Sequence, residues 1–492
     1  MREHETAPMA APVPQSGDTE TAGDPRAVAV MVAFVMFLSI LEATVIATAL
    51  PAMARDFGVA PSELGIGITA YLLVSTAFLP LSSWAAQRIG PRRVLATSVL
   101  GFGMASLLCS LSTSLAFFVA ARALQALCSS LMTPVGNLVL LRVTPKHRLV
   151  EMLAISTTPA LIAPVIGPPL GGFLTQTLGW QSIFLINLPL TLIGAILARK
   201  LIPRIAPQPA PFDPIGFVLI ACALALLIYG FDRLGANPGR MAGPAAMIAL
   251  GALAAVLAYR YLQARPHGLV PLGALRHRTF RSIAFGAGML LRIPHMGQAL
   301  VLPLYFQLAF GLSPGMTGLL LLANNLGDLA LKPVVGRVIR ATGFRAALSV
   351  GTAMTMASLT GVAAFTEDMP LWAMAGAMLL VGMARSVPFT GMVSLAFADV
   401  GQEELPGAIV LNSIGNALSA AVGISLGALI LNMPFVHDNW GGAGAADAAP
   451  YRLALVALAL IGLCAVPLFA RLPAEAGARI TGRPARPSEA PA

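Results

Sequence analysis

Apolar stretches about twenty residues long recur along the chain, separated by short segments in which Arg, Lys, Gly and Pro gather. A helix needs about 20 mostly apolar residues to cross the hydrocarbon layer of a bilayer. Stretches of that kind lie at 27–50, 64–84, 94–112, 115–139, 149–174 and 181–198, then at 215–231 and 241–261, then at 282–308, 315–338, 346–365, 371–397, 407–432 and 452–470. The pattern predicts an all-α polytopic membrane protein of fourteen spans, grouped six, two and six. Residues 1–26 then form a polar tail, 27–199 a first six-helix bundle, 200–281 an inserted linker with two spans, 282–470 a second bundle and 471–492 a second tail. The first tail carries Glu3, Glu5, Asp18, Glu20 and Asp24 and lacks the basic start and short apolar core of a secretory signal. The last segment is low-complexity Pro, Ala and Arg, and both tails are expected to be disordered.

Composition excludes a water-soluble reading. Apolar residues make up 57% of the 492 and charged residues 11%, against roughly 25% charged in a soluble domain. The net charge of +10 does not mark a nucleic-acid binder, because such a binder collects Lys and Arg on one surface. Here they sit in small clusters between apolar stretches, which is a topology signal. With both termini inside, 23 of the 31 Lys and Arg fall in cytoplasmic segments, four in outer loops (Arg55, Arg233, Arg240, Arg452) and four within helices. Only the loop 398–406 departs, with acids alone. Cys109, Cys128, Cys222 and Cys464 lie in apolar stretches without metal-type spacing, and the six histidines are isolated. Neither a metal nor a cofactor is expected.

An internal repeat supports the span count. At an offset of 253, Gly58, Pro61, Gly65, Pro80, Gly90 and Arg92 meet Gly311, Pro314, Gly318, Pro333, Gly343 and Arg345. Each copy runs from an outer loop through the second helix of a six-helix group into an inner turn, so the halves share one orientation. Ionisable residues inside spans cost several kcal/mol unless they face a partner or a cavity. Six stand out: Glu42, Arg122, Arg292, Asp328, Lys332 and Arg385. Asp328 and Lys332, four apart on one helix, can form an ion pair, and coupling is the other role open to them. Asn324 and Asn325, one turn above, can serve a substrate or helix 9. Each Arg is either a cavity group or a packing residue satisfied by carbonyls.

Several motifs stand in order on the predicted helices. Leu41-Glu42-Ala43-Thr44 through Ala49-Leu50-Pro51 lies in helix 1, and Arg88-Ile89-Gly90-Pro91-Arg92-Arg93 follows helix 2. Arg122 and Gln125 lie in helix 4, and Gly167-Pro168-Pro169-Leu170-Gly171-Gly172 in helix 5. A softer match runs from Trp180 through Ile183-Phe184-Leu185-Ile186-Asn187-Leu188-Pro189. Together, over about residues 27–470, they resemble the major facilitator superfamily in its fourteen-helix drug:proton antiporter branch. The sequence departs from that pattern at Glu42, where the family usually has Asp, and at Ser83 and Gln87, where it usually has Gly and Asp. The loop around Gln87, Arg88, Gly90 and Arg92 therefore lacks its usual acid, and a conformational latch and a purely topogenic cluster both stand as readings of it.

The resemblance implies a transporter, not an enzyme, in a bacterial cytoplasmic (inner) membrane with both termini cytoplasmic. Its partners would be a small-molecule substrate, protons and the bilayer, without nucleic acid or an obligatory protein. By analogy, helices 1, 4, 9 and 12 line a central cavity, and Glu42, Arg122, Arg292 and Arg385 fall one on each. The helix 5 motif implies an exporter, with Gly167, Pro168, Gly171 and Gly172 sealing the interface between halves; a merely kinked helix is the plainer alternative. Glu42 is expected to carry the proton, with Arg122 as its counter-charge and Asp328 as a further coupling candidate. Gln125, Arg292, Asn324, Asn325 and Arg385 are expected to contact substrate. If Asp328 and Lys332 cancel, the remaining cavity charge is positive and favours an anionic or zwitterionic substrate. The alternative is a proton-coupled importer or symporter on the same fold. A polytopic membrane enzyme would need a His/Asp/Glu cluster at an interface, which the sequence does not show. A nucleotide-driven pump is excluded, because no G-x-x-x-x-G-K-[ST] loop occurs.

Overall fold

The computed structural model describes residues 24–59, 65–207, 212–236, 241–265, 269–312, 314–366, 368–401, 403–432 and 448–473. Most of both predicted tails lies outside the described residues. A helix occupies every predicted span, because a backbone placed in lipid must satisfy its own polar groups. The first group is α1 (Pro25–Phe57), α2 (Gly65–Ala77 and Leu79–Ile89), α3 (Pro91–Ser110), α4 (Leu115–Val143), α5 (Leu149–Leu178) and α6 (Ser182–Leu185 and Asn187–Leu201). The inserted pair is α7 (Pro214–Ala236) and α8 (Ala242–Gln263). The last group is α9 (Arg278–Phe285 and Ala287–Leu304), α10 (Pro314–Thr342), α11 (Phe344–Ala363), α12 (Leu371–Ala396), α13 (Leu405–Leu431) and α14 (Ala449–Leu463 and Ala465–Ala470). Among the described residues, 11 helices are each long and apolar enough to cross a membrane. The other three predicted spans are α2 and α9, each broken in two, and α5, one helix of 30 residues.

The repeat is visible in backbone geometry. Gly58 and Gly311 have φ of +64° and +63°, and Gly90 and Gly343 have +91° and +83°. Both pairs are partners at the offset of 253, and each holds a left-handed conformation that a side chain would strain. The halves differ within the repeated helix: α2 breaks at Phe78, just before Pro80, whereas α10 continues through Pro333. In α9 a single π turn, Tyr305–Ala309, follows Pro303, where the ring removes a backbone donor.

Helix α1 packs along α5, α10 along α12, and α9 along α13. The two six-helix groups meet where α5 touches α10 and α12, and where α13 touches α2 and α4. Helix α7 lies between them, against α2 and α13, while α8 packs on α7 and buries only Gly251, Ala258 and Leu262. The pair thus joins the edge of the bundle and leaves the interhelical centre to the two groups of six.

Candidate functional site

Polar groups buried inside the first bundle converge on one carboxylate. Glu42, midway along α1, is 4% exposed, and Arg122 and Gln125 of α4, one turn apart on one face, are 2% and 0% exposed. Arg122 Nη1 donates to Glu42 Oε1 at 2.7 Å, and Gln125 Nε2 donates to the same oxygen at 3.1 Å. The other oxygen, Oε2, accepts a short bond from Asn187 Nδ2, at the first residue of the second segment of α6. Ser106 Oγ of α3 closes the ring by accepting from Gln125 Nε2 at 2.6 Å and from Asn187 Nδ2 at 3.2 Å. Arg122 also donates to Gln125 Oε1 at 2.5 Å and lies over the Tyr71 ring, 4.4 Å from its centroid. The Tyr71 hydroxyl in turn donates to Ser129 Oγ at 2.8 Å.

Both carboxylate oxygens therefore face donors, and the nearest acceptors in the ring, Gln125 Oε1 and Ser106 Oγ, are already engaged. Protonation of Glu42 would add a donor to a group that now faces the donors of Arg122, Gln125 and Asn187, and so would weaken this ring of bonds. One buried guanidinium atom, Arg122 Nε, has no hydrogen-bond partner among the described residues.

The second bundle holds a different cluster. Arg385 of α12 donates from Nη2 to Asp328 Oδ2 of α10 at 3.0 Å, while Lys332 Nζ lies 4.0 Å from Asp328 Oδ1. The expected Asp328–Lys332 pair is thus the weaker of two. An i,i+4 lysine reaches along its own helix, whereas the close α10–α12 crossing presents a guanidinium directly. That crossing depends on two glycines, since a Cβ on Gly327 would meet Leu379 O and one on Gly382 would meet Asn324 O. Lys332 Nζ also donates to Thr390 Oγ1 at 3.4 Å. Arg385 Nη1 stands 3.2 Å from His295 Nδ1 of α9, and Gln298 Nε2 is 2.8 Å from the same ring atom. Asn324 Oδ1 and Asp328 Oδ1 are buried without hydrogen-bond partners among the described residues, and Asn325 beside them is half-buried.

Arg292 stands apart from both clusters. It is 3% exposed, donates from Nη2 to Asn412 Oδ1 of α13 at 2.9 Å and from Nη1 to Ile283 O at 3.4 Å, and meets no carboxylate among the described residues. The expected convergence of four charged residues therefore resolves into Glu42 with Arg122, Arg385 with Asp328, and Arg292 packed between α9 and α13.

One glycine of the exporter-type motif packs closely inside the first bundle. A Cβ on Gly167 would collide with Thr44 Oγ1, two residues past Glu42 on α1, so this glycine sets how near α5 comes to the carboxylate. Gly171 is buried, and α5 runs unbroken through Pro168 and Gly172. Within the second segment of α2, Ser83 Oγ donates to Leu269 O at 3.4 Å, and around the α2–α3 turn Arg88 is exposed while Gln87 and Arg92 are half-buried. Neither Arg88 nor Arg92 forms a salt bridge among the described residues. Sequence reasoning missed Ser106, Asn187 and His295 as site members. Asn187 lay within a quoted motif, and its signal was an amide inside an apolar helix; Ser106 carries no such signal, because serine is common in spans.

Comparison with known proteins places this geometry. A family model described as Major Facilitator Superfamily matches residues 32–293 and 282–491. The relative named "Putative multidrug resistance protein MdtD" from Escherichia coli O6:H1 is 32% identical over 408 residues, 82% of this chain and 85% of the relative. Proteins of the same name from Cronobacter sakazakii and Klebsiella pneumoniae are each 31% identical, over 90% and 91% of this chain and 94% of each relative. Among solved structures, the human organic anion transporter MFSD10 (TETRAN) superposes with a TM-score of 0.65 at 15% identity, covering 90% of this chain and 99% of that one.

Proposed function

The chain belongs to the Major Facilitator Superfamily, and from that premise, which makes it a multi-pass membrane transporter of small molecules, we propose that it is a proton-coupled exporter. Residues 27–199 and 282–470 act as two bundles that rock about a midplane site, with 200–281 as an inserted linker. The chain sits in the bacterial cytoplasmic membrane with both termini inside, the orientation that leaves most Lys and Arg on the cytoplasmic side. One observation carries the reading: the Glu42 carboxylate is enclosed by Arg122, Gln125 and Asn187, donors contributed by two other helices, α4 and α6. Proton uptake from outside separates Glu42 from Arg122, and return of the guanidinium discharges the proton inside.

Substrate is held on the other side of the site. Asp328 stands against two cations, Arg385 and Lys332, so this cluster carries one positive charge beyond its carboxylate and suits an anionic or zwitterionic molecule. Asn324 and Asn325 supply amide contacts on the same helix. Drug-resistance naming of the relatives agrees with export, and drugs or metabolites of that charge class are the cargo we assign.

The test is proton release from everted vesicles energised to an inside-acid gradient and challenged with organic acids, zwitterions and quaternary ammonium compounds. Antiport predicts substrate-dependent alkalinisation in wild type and none in Glu42→Gln. Substrate-driven acidification of the lumen identifies a symporter and overturns the direction assigned here.

A further inference from the structure

Four arginines that no step above uses gather at the arginine-rich end of the bundle. A cavity of about 810 Å³ opens there between the start of α3, the end of α6 and the segment that follows α6. Arg92 and Arg93 line it from α3, Arg199 from α6 and Arg204 from the following segment. Its other walls include Ile89, Ala96, Ile205 and Pro207, with Thr97 on the exposed side of α3. No carboxylate lines this cavity, and none of the four guanidinium groups forms a salt bridge among the described residues. Gln87, just before Arg88 at the end of α2, is neutral. The lining is therefore amphipathic: unpaired cations beside an apolar wall, at the level where two spans end.

We propose that this cavity binds an anionic phospholipid, with the phosphate held by the arginines and the glycerol and upper acyl segments lying on the isoleucine and proline wall. Guanidinium forks match phosphate oxygens in pairs, and basic pockets at the ends of membrane helices are suited to anionic headgroups. The apolar wall argues for a lipid over a free phosphate, which has nothing to place there. Gly90, whose left-handed backbone turns α2 into α3, leaves room for the segment after α6, since a Cβ would press on Ile205 O at 3.3 Å. Lipid held here ties α3, α6 and the start of the inserted linker together.

The experiment titrates detergent-purified full-length protein with short-chain phosphatidylglycerol, phosphatidylcholine or inorganic phosphate, reading bound lipid by native mass spectrometry and the unfolding midpoint. Phosphatidylglycerol should bind about tenfold or more tightly than phosphatidylcholine. Arg93→Gln/Arg199→Gln/Arg204→Gln should remove that preference. Because losing three charges can disturb insertion, Thr97→Trp, which fills the groove and keeps every arginine, should remove it as well. Equal binding of the two lipids, or an unchanged preference in both variants, overturns the proposal. Saturation by inorganic phosphate at the same concentrations makes this a free-phosphate site and overturns the lipid assignment. A preference that emerges only when Glu3, Glu5, Asp18 and Glu20 are changed to Gln assigns the groove to that acidic segment of the chain instead.

Discussion

The two six-helix bundles place a buried carboxylate beside a buried arginine by different means. In the first, Glu42 comes from the first helix of the bundle and its donors from α4 and α6, and the pair with Arg122 is neutral. In the second, the carboxylate has moved to the second helix, and Asp328 of α10 meets Arg385 of α12 with Lys332 nearby. The first-helix position is taken instead by His295, 3.2 Å from the guanidinium. Repetition of the fold thus preserves an arginine on the fourth helix of each half while the partner changes. A buried carboxylate in a neutral pair suits a group that exchanges a proton, and a cluster with surplus positive charge suits a group that holds an anion. That difference is the ground for the division of labour proposed above between the halves.

The largest expected effect breaks the first cluster. Glu42→Gln should abolish proton-coupled efflux, a loss of at least about 100-fold, while Asp328→Asn leaves measurable coupling and weakens organic acid export. Removing one partner of a buried pair costs about 3–5 kcal/mol because the other charge is stranded, so expression must be checked beside transport. The double variant Glu42→Gln/Arg122→Gln should regain folding and remain uncoupled. If Asp328→Asn uncouples and Glu42→Gln does not, the roles assigned to the halves are reversed.

Next in size is the charge of the second cluster. Lys332→Ala removes the surplus cation and leaves the Asp328–Arg385 bond, so export of an organic acid should fall about tenfold, as expected for one charge-assisted hydrogen bond. Quaternary ammonium export should be unchanged or improved. A matching loss for both compounds would show that Lys332 supports packing and not selectivity. Arg292→Gln is the control, because Arg292 contacts Asn412 and Ile283 O and not this cluster; its discrimination between anion and cation should equal that of wild type.

A smaller effect is expected where the first cluster is held by packing. Gly167→Leu places a side chain on Thr44 and should lower efflux severalfold by forcing α5 away from α1. Gly167→Ala/Thr44→Gly restores the approach and should recover most of the activity, measured as initial efflux rate at equal expression. Failure of the paired change to recover activity would move the role of this glycine to the contacts of α5 with the other half.

Much of this arrangement was legible in the sequence, for reasons the structure makes plain. Lipid forces each span to be long and apolar, and it makes a buried charge costly, so Glu42, Arg122, Asp328 and Arg385 stood out at once. Their partners were less visible. Arg122 was paired with Glu42 from the matching of charges, and that pair is present. Asp328 was assigned to Lys332 by helical spacing, but a contact between helices, set by Gly327 and Gly382, brings Arg385 closer. Periodicity along one helix cannot report such a crossing. Ser106 and Asn187 were hidden for a related reason, since neutral polar side chains are unremarkable in a span until a neighbouring helix gives them a carboxylate to serve. The break of α9 at Gly286 and its π turn after Pro303 likewise interrupt a stretch that reads as one uniform span.

The smallest effect separates burial from pairing as such. Arg26 and Glu151 form a second Arg–Glu pair in the first bundle, at 3.2 Å between side chains 66% and 47% exposed, where Arg122 and Glu42 are 2% and 3% exposed. Arg148 adds a further contact to Glu151 at 3.4 Å. Water and salt screen the outer pair, so Glu151→Gln should change the unfolding midpoint only by the equivalent of under about 1 kcal/mol, and less at high ionic strength. Efflux should stay near the wild-type rate. The same Glu→Gln change at position 42 should act at all salt concentrations, because that carboxylate is almost wholly buried. If the two substitutions shift stability and efflux alike, enclosure of Glu42 has no special consequence, and the contrast between the bundles reduces to a difference in sequence without a difference in role.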